Sequence, residues 1–480
     1  MNRVTGTHRD HVRATPLRPP PRSYELERRR DRRTPWVVCA GLVVVAAGGV
    51  AAVRTLGAPS IDATLATGGA DTGPRVMVPD AIAPSVPGFV NSLRGLVDNT
   101  TSLTANGSPV PLEPGGAFTI LIPQGTAEVR LVATDAVGAS REAVVAVTDV
   151  PVPSTYPSTA ALHVRAEDWA NPALRQQVLD LAASGRINAV ELDIKDEAGV
   201  VGYSSAVPLA ASTGAAAAHY DARQAIDELH GAGVRVIGRI VCFLDPVLAK
   251  WAWDSGRPDM VVLDGAGAAP LANNYGAAPF SNPANPEVRN YQIDLAVEAA
   301  GLGFDEILYD YVRRPEGPPE NMQFIGLDVA PDVSIARFVA ETNARLEGTG
   351  TGLGISVFGI SATRPEPTGQ DINLLAPHVD YVSPMVYPSH WVSGEYGVAD
   401  PVRQPADIVT RSLADFERLV AGSGTAVVPW LQDFSSGSVV YGPIEVRAQI
   451  DAARATGAEG FLLWNPTSNY TIDALDPPTG

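Results

Sequence analysis

The chain has 480 residues, 45% of them apolar and 18% charged, enough to bury one large and one small core. Its net charge of −18 is uneven: ten arginines against four acids make residues 1–35 six positive, which leaves −24 on everything after them. So acidic a remainder argues against nucleic acid and anionic lipid as its ligands, and Cys39 and Cys242, the two cysteines, sit in separate apolar stretches and offer no disulfide.

Residues 1–35, with Pro19, Pro20 and Pro21 among the arginines, read as a disordered basic tail. Residues 36–53 are uncharged and rich in Val, Ala and Gly, about long enough to cross the hydrocarbon core as one transmembrane helix, and Arg54 follows at once. The arginines before it keep the N-terminus cytoplasmic. A single-pass membrane anchor is therefore expected, with all later residues outside the cytoplasm; cleavage as a signal peptide would leave them secreted. Residues 54–83, rich in Gly, Ala, Thr and Pro without periodicity, read as a linker.

Over residues 84–150 short alternating runs, such as Phe118 to Ile122 and Glu128 to Ala133, are split by Asn106-Gly107, Pro114-Gly115-Gly116 and Val137-Gly138. This predicts a small antiparallel β-sandwich. The phrases Val97-Asp98-Asn99-Thr100-Thr101, Val110-Pro111-Leu112 and Ala133-Thr134-Asp135-Ala136-Val137-Gly138 resemble immunoglobulin-like modules of bacterial surface and carbohydrate-active proteins. A plain spacer would carry the same pattern. Residues 151–160, with Pro151, Pro153 and Pro157, form a stiff hinge.

From residue 161 to 480 strand and helix patterns alternate, which predicts an α/β fold with a parallel sheet. The expected strands are 161–165, 189–195, 234–241, 304–310, 353–358, 381–386, 426–431 and 460–464. Helices are expected near 173–183, 221–232, 286–300, 334–346, 405–420 and 444–455. Eight strands in this length match a (β/α)8 TIM barrel, although too little chain follows Trp464 for a final helix.

Active sites of that fold lie at the C-terminal ends of the strands. In the second strand Val190, Leu192 and Ile194 take one face, and Glu191, Asp193 and Lys195 take the other, which would point into the barrel. Buried ionisable groups in a row mark a functional site or an ion-pair network. The fourth strand ends on Asp310, between Tyr309 and Tyr311, with Arg239 and Arg313 as the cations expected to keep it ionised. An oriented carboxylate suits a glycosidase nucleophile, and a second carboxyl must protonate the leaving oxygen. Asp193, Asp196, Glu395 and Asp433 are the candidates for that acid. Trp169, Tyr311, Tyr387, His390, Trp391, Trp430 and Trp464 fall at or just past strand ends, where aromatic faces suit sugar rings. Lys195, Arg239, Tyr309, Arg313 and Gln432 complete the expected substrate-binding set.

The run Val190 to Asp196 with Gly199, the run Gly238 to Val241, the helix start Asn285 to Arg289 and the strand through Tyr309 to Arg313 resemble a glycosyl-hydrolase barrel family catalogued as a domain of unknown function. Val357 to Gly359, Val379 to His390 and Pro429 to Phe434 extend the resemblance over nearly all of 160–470. It implies a TIM barrel and a hydrolase-like cleft without supplying the sugar. Two departures stand beside it: Arg314-Pro315 replaces an aromatic-Pro, and Trp391 stands where another aromatic is usual.

Gly-x-x-x-x-Gly-Lys-Ser/Thr and Gly-x-Ser-x-Gly are both missing, which argues against a nucleotide partner and against an α/β-hydrolase. No His-x-x-x-His pair or cysteine cluster suggests a transition metal, which leaves an oxygen-ligated Ca²⁺ as the open alternative; no metal or cofactor is assigned. The expected function is hydrolysis of a cell-envelope or extracellular polysaccharide, and the alternative is a non-catalytic carbohydrate-binding or wall-scaffolding barrel.

Overall fold

The computed structural model describes residues 73–85, 90–148 and 153–477. The basic tail and the apolar stretch 36–53 lie outside them; among the described residues no helix is long and apolar enough to cross a membrane.

The first region is β-rich. Its strands are β1 Arg75–Met77, β2 Ala81–Ile82, β3 Ser92–Asp98, β4 Ser102–Ala105, β5 Ser108–Val110, β6 Ala117–Leu121, β7 Glu128–Thr134 and β8 Ser140–Val147. They form two sheets, ordered β1-β3-β6 and β2-β8-β7-β4-β5. Strand alternation builds the core between them: Val129, Leu131 and Ala133 of β7 point inward and join Leu93, Val97, Leu103, Phe118 and Val145 in a separate small cluster. Asn106 and Gly107, at φ 49° and 79°, make the tight turn between β4 and β5. The linker reading of residues 54–83 needs correction, because β1 pairs with β3 and β2 with β8. Strands of three and two residues are too short to show a period.

A few specific contacts attach this region to the C-terminal part of the chain. Arg94 of β3 pairs with Asp332 at 2.7 Å and with Asp371, and the Ala81 N–H donates to the Gly422 carbonyl at 2.8 Å. Replacing Arg94 by methionine keeps the aliphatic stem and strands two facing carboxylates. A loss of about 1–2 kcal/mol is expected, read as a lower midpoint of urea unfolding; an unchanged midpoint would show that the pair contributes nothing.

The second region is an eight-strand parallel barrel of the TIM type. Its strands are β9 Thr159–Val164, β10 Ala189–Lys195, β11 Arg235–Val241, β12 Glu306–Asp310, β13 Gly352–Phe358, β14 Tyr381–Met385, the split pair β15 Ala426–Val427 and β16 Trp430–Gln432, and β17 Gly460–Trp464. Their order is β13-β12-β11-β10-β9-β17-β16-β14-β15, and a β13–β14 pairing closes the ring. The outer helices are α1 Pro172–Ala183, α2 Ala222–Gly231, α3 Pro246–Asp254, α4 Pro286–Leu302, α5 Pro331–Leu346, α6 Pro405–Val420 and α7 Pro443–Ala455. Six of the seven open on proline, whose fixed φ and missing N–H suit the first helical turn. Asn171, Asp221, Asp245 and Asn285 cap four of them through side-chain oxygens. After β13 there is a single turn, Ile372–Leu375, and after β17 a short 3-10 turn, Ile472–Ala474, where the chain runs out of helix-forming sequence.

The barrel interior is a packed core rather than a pore. Ala161, Ala189, Ile237, Leu308, Tyr381, Trp430 and Leu462 fill its middle. Gly354 makes room for the Tyr381 ring, since a Cβ there would lie 2.2 Å from it. Apolar filling below forces the polar residues of the same strands into the layer above, at the C-terminal mouth.

Candidate active site

Strand register assembles the site. Asp193 on β10 stands opposite Arg239 on β11, His163 on β9 stands opposite Glu191, and Asp310 ends β12 opposite Val241. Arg239, 1% exposed, is the hub. Its Nε and Nη2 donate to Asp310 Oδ2 at 3.0 and 2.6 Å, its Nη1 donates to Asp193 Oδ1 at 2.9 Å, and its Nη2 also bonds Glu197. Glu191 Oε1 lies 3.7 Å from Nε. One guanidinium therefore faces four carboxyls, of which Glu197 alone has a solvent-reaching side chain, 38% exposed against 0–3% for the others. The centre of the Trp464 ring lies 5.1 Å from the guanidinium carbon.

The environments of these carboxyls differ. Burial pushes Asp193 up to about 7 against the lowering effect of His163 and Arg239. Burial also raises Glu191 well above the ordinary range. Burial works upward on Glu197 too, but Arg239, by charge and hydrogen bond, carries it below its usual value. Asp310 is oriented by a third donor, the N–H of Tyr311 at 2.7 Å. Tyr311 sits in the left-handed region at φ 49°, an unfavourable conformation for an aromatic residue, and this turns the chain directly after Asp310.

The site thus gathers Asp310, Asp193 and Arg239, with Trp464 and the half-buried Tyr311 beside them. Other expected members lie elsewhere. Strict alternation puts Lys195 on the face of Asp193, but a register shift between them turns it to Asp245 at 2.6 Å and over the Tyr291 ring of α4. Tyr309 points outward, stacked on Phe338 with its hydroxyl on the Gln292 carbonyl. Arg313 pairs with Glu316 at 2.9 Å between the Tyr311 and Phe358 rings instead of with Asp310.

Among the acid candidates, Asp196 accepts from the N–H groups of Ala198 and Val200 and closes the turn after β10; burial raises it to about 6. Asp433 is buried and bonds Thr471 twice, at 2.7 and 2.6 Å, and Glu395 pairs with Arg364 at 3.0 Å. Trp430 is core, its Nε1 donating to Ser356 Oγ at 2.9 Å. Trp169, Tyr387 and Trp391 are buried, and Gln432 is buried between the Ser389 N–H and the Phe434 carbonyl. His390 is half-buried beside Tyr387, and burial pushes it down to about 4.

Sequence reasoning missed His163 as a site residue and left Glu197 unassigned on its loop. The signal for His163 was present: Leu162 and Val164 take the outer face of β9, which leaves His163 on the lumen face. Glu197 carried no such signal, since a loop has no period.

A family model described as "Putative glycosyl hydrolase domain" matches residues 161–470. Among solved structures, a hypothetical protein from Ruminiclostridium thermocellum is 32% identical over 40% of this chain and 96% of its own, with a TM-score of 0.37. The PgaB (BpsB) glycoside hydrolase domain from Bordetella bronchiseptica is 16% identical over 67% of this chain and 99% of its own, at 0.48. An α-galactosidase from Thermus thermophilus is 15% identical over 79% of this chain and 86% of its own, at 0.44. No match was found among curated proteins.

Proposed function

Because the chain belongs to this glycosyl hydrolase domain family, we propose that its barrel hydrolyses a glycosidic bond of a cell-envelope or extracellular polysaccharide, with Asp193 and Asp310 as the working carboxyls. The supporting observation is the pair itself: both bond the same buried guanidinium, on different nitrogens. That caps the gap between their bonded oxygens at roughly 8 Å, a ceiling compatible with the about 5–5.5 Å of retaining enzymes and with the lower part of the about 6.5–9.5 Å of inverting ones. Asp193 holds its proton up to about 7 and is the acid for the leaving oxygen. Asp310, fixed by three hydrogen bonds, is the nucleophile, or the base if water attacks directly. Trp464 and Tyr311 offer flat faces to a sugar ring.

The proposal extends to location and architecture. The apolar stretch 36–53 behind a basic tail supports a single-pass anchor with the barrel outside the cytoplasm, and the two small sheets support an immunoglobulin-like spacer. One observation favours a second reading, a carbohydrate-binding or scaffolding barrel without turnover: Asp193 and Asp310 are only 1–2% exposed.

The test is reducing-end release by the full-length protein and by Asp310→Asn on a panel of bacterial envelope and capsular polysaccharides. Release by the wild type with none by the variant supports the hydrolase. Equal release by both removes Asp310 from the chemistry, and glycan binding without release by either favours the scaffold.

A further inference from the structure

Three buried polar atoms beside Asp193 lack a hydrogen-bond partner: Nε2 of His163, Oε1 of Glu191 and Oδ2 of Asp193. They belong to one cluster, since a ring nitrogen or carboxylate oxygen from each residue lies within 4.8 Å of the other two. The imidazole stands between the carboxyls. Its Nδ1 bonds Glu191 Oε2, and its Nε2 faces Asp193 Oδ2 at 3.7 Å. Trp464 stacks on the ring at 4.2 Å and fixes its plane. Leaving a buried polar atom unpaired is costly, so the cluster does not stabilise the fold as it stands, and such groups call for a chemical explanation.

We propose that His163 is a positioning residue that passes one proton between Glu191 and Asp193 and so keeps the acid supplied with its proton. The inference deepens the hydrolase reading and rests on it for the role of Asp193. In one state Glu191 carries the proton, its O–H donates to Nδ1, and Nε2–H faces ionised Asp193. In the other, Glu191 is ionised and accepts from Nδ1–H, while the Asp193 O–H faces the Nε2 lone pair. Passage between them breaks the Glu191 O–H and Nε2–H bonds and makes the Nδ1–H and Asp193 O–H bonds, with no proton leaving the trio. The 3.7 Å gap is a resting distance of the kind that tightens when a site closes on substrate.

The relay needs a neutral imidazole. Burial holds His163 down to about 4, opposed by Asp193 and Glu197 and assisted by Arg239 and Arg165. These are the charged groups that face it, together with Glu191 on β10; the aromatic rings of Trp430 and Trp464 cover its other sides.

The test is infrared spectroscopy of the full-length protein between pH 5 and 8, reading the carbonyl stretch of protonated carboxyls in the wild type, Asp193→Asn, Glu191→Gln and His163→Gln. The wild type should keep a buried protonated carboxyl at pH 7. Asp193→Asn should retain the band at a shifted frequency, because Glu191 takes the proton. Glu191→Gln should retain it on Asp193 with a displaced titration midpoint, and His163→Gln should split the titration into two independent steps. Loss of the whole band in Asp193→Asn, or an unchanged titration in His163→Gln, would overturn the relay. So would a stoichiometric divalent cation that binds the wild type and removes the band, since it would occupy the same atoms. If His163→Gln fails to fold, His163→Asn replaces it, since only loss of the imidazole separates the two carboxyls, and an unchanged titration there would overturn the relay equally. Hydrolysis is assayed separately, so an intact band in an inactive protein sinks the hydrolase reading alone, and normal hydrolysis without the band sinks the relay alone.

Discussion

Arg239→Met should destabilise the folded protein by about 3–5 kcal/mol, read as a fall in the denaturant midpoint at pH 8. Methionine fills much of the arginine stem but removes the guanidinium that bonds Asp310, Asp193 and Glu197 and lies 3.7 Å from Glu191. Breaking a buried pair from one side is costly because the other charges stay buried without compensation. Four carboxyls would then face one another across the barrel mouth. Protonation relieves that repulsion, so the deficit should narrow as pH falls from 8 towards 5. A midpoint equal to wild type at pH 8 would show that the carboxyls are neutral without the arginine, and the hub would lose its structural meaning.

Asp193→Asn should lower hydrolysis by about 100- to 10,000-fold, the range expected when a positioned general acid is lost. In the wild type, kcat/KM should fall as pH rises through about 7, because the acid must carry its proton in the free enzyme. The stability effect runs the same way. The folded-state value of about 7 lies above the ordinary value of about 3.9, so the folded state binds this proton more tightly than the unfolded state. The resulting stabilisation is fully present below the ordinary value and is lost as pH rises through about 7. Asparagine does not titrate, so the variant's Tm should fall less than the wild type's between pH 5 and 8. A wild-type profile flat to pH 9, with parallel Tm curves, would remove Asp193 from the acid role.

The eight barrel strands were legible because each carries a continuous apolar outer face, as in Val190, Leu192 and Ile194 against the helices. The helix starts were legible from Pro and Asn at fixed positions, as in Asn285-Pro286. Asp193, Arg239 and Asp310 could be read as neighbours because strand order puts their strands side by side. Alternation failed where geometry departs from a period of two: the register shift before Lys195 reverses that side chain, and nothing in Ile194-Lys195-Asp196 announces it. Aromatic residues at strand ends misled for a related reason. Tyr309 and Tyr311 differ by two positions, yet one packs behind the barrel and the other at its mouth, because the left-handed turn at Tyr311 breaks the strand between them. Position along a strand says how high a side chain sits; only the dihedral angles say which way it leaves.

Tyr156, just ahead of the barrel, donates its hydroxyl to Glu306 at 2.6 Å, and Arg235 pairs with the same carboxylate. Glu306 and Arg235 are the first residues of β12 and β11, so the incoming chain is bolted to the pole opposite the Arg239 hub. Load applied through the upstream chain is therefore taken up at the N-terminal pole of the barrel, away from the carboxyls. A protein immobilised on a bead by its N-terminal side should present the carboxyl-bearing pole to the surrounding liquid, where a polymer too large to enter the bead can lie across it.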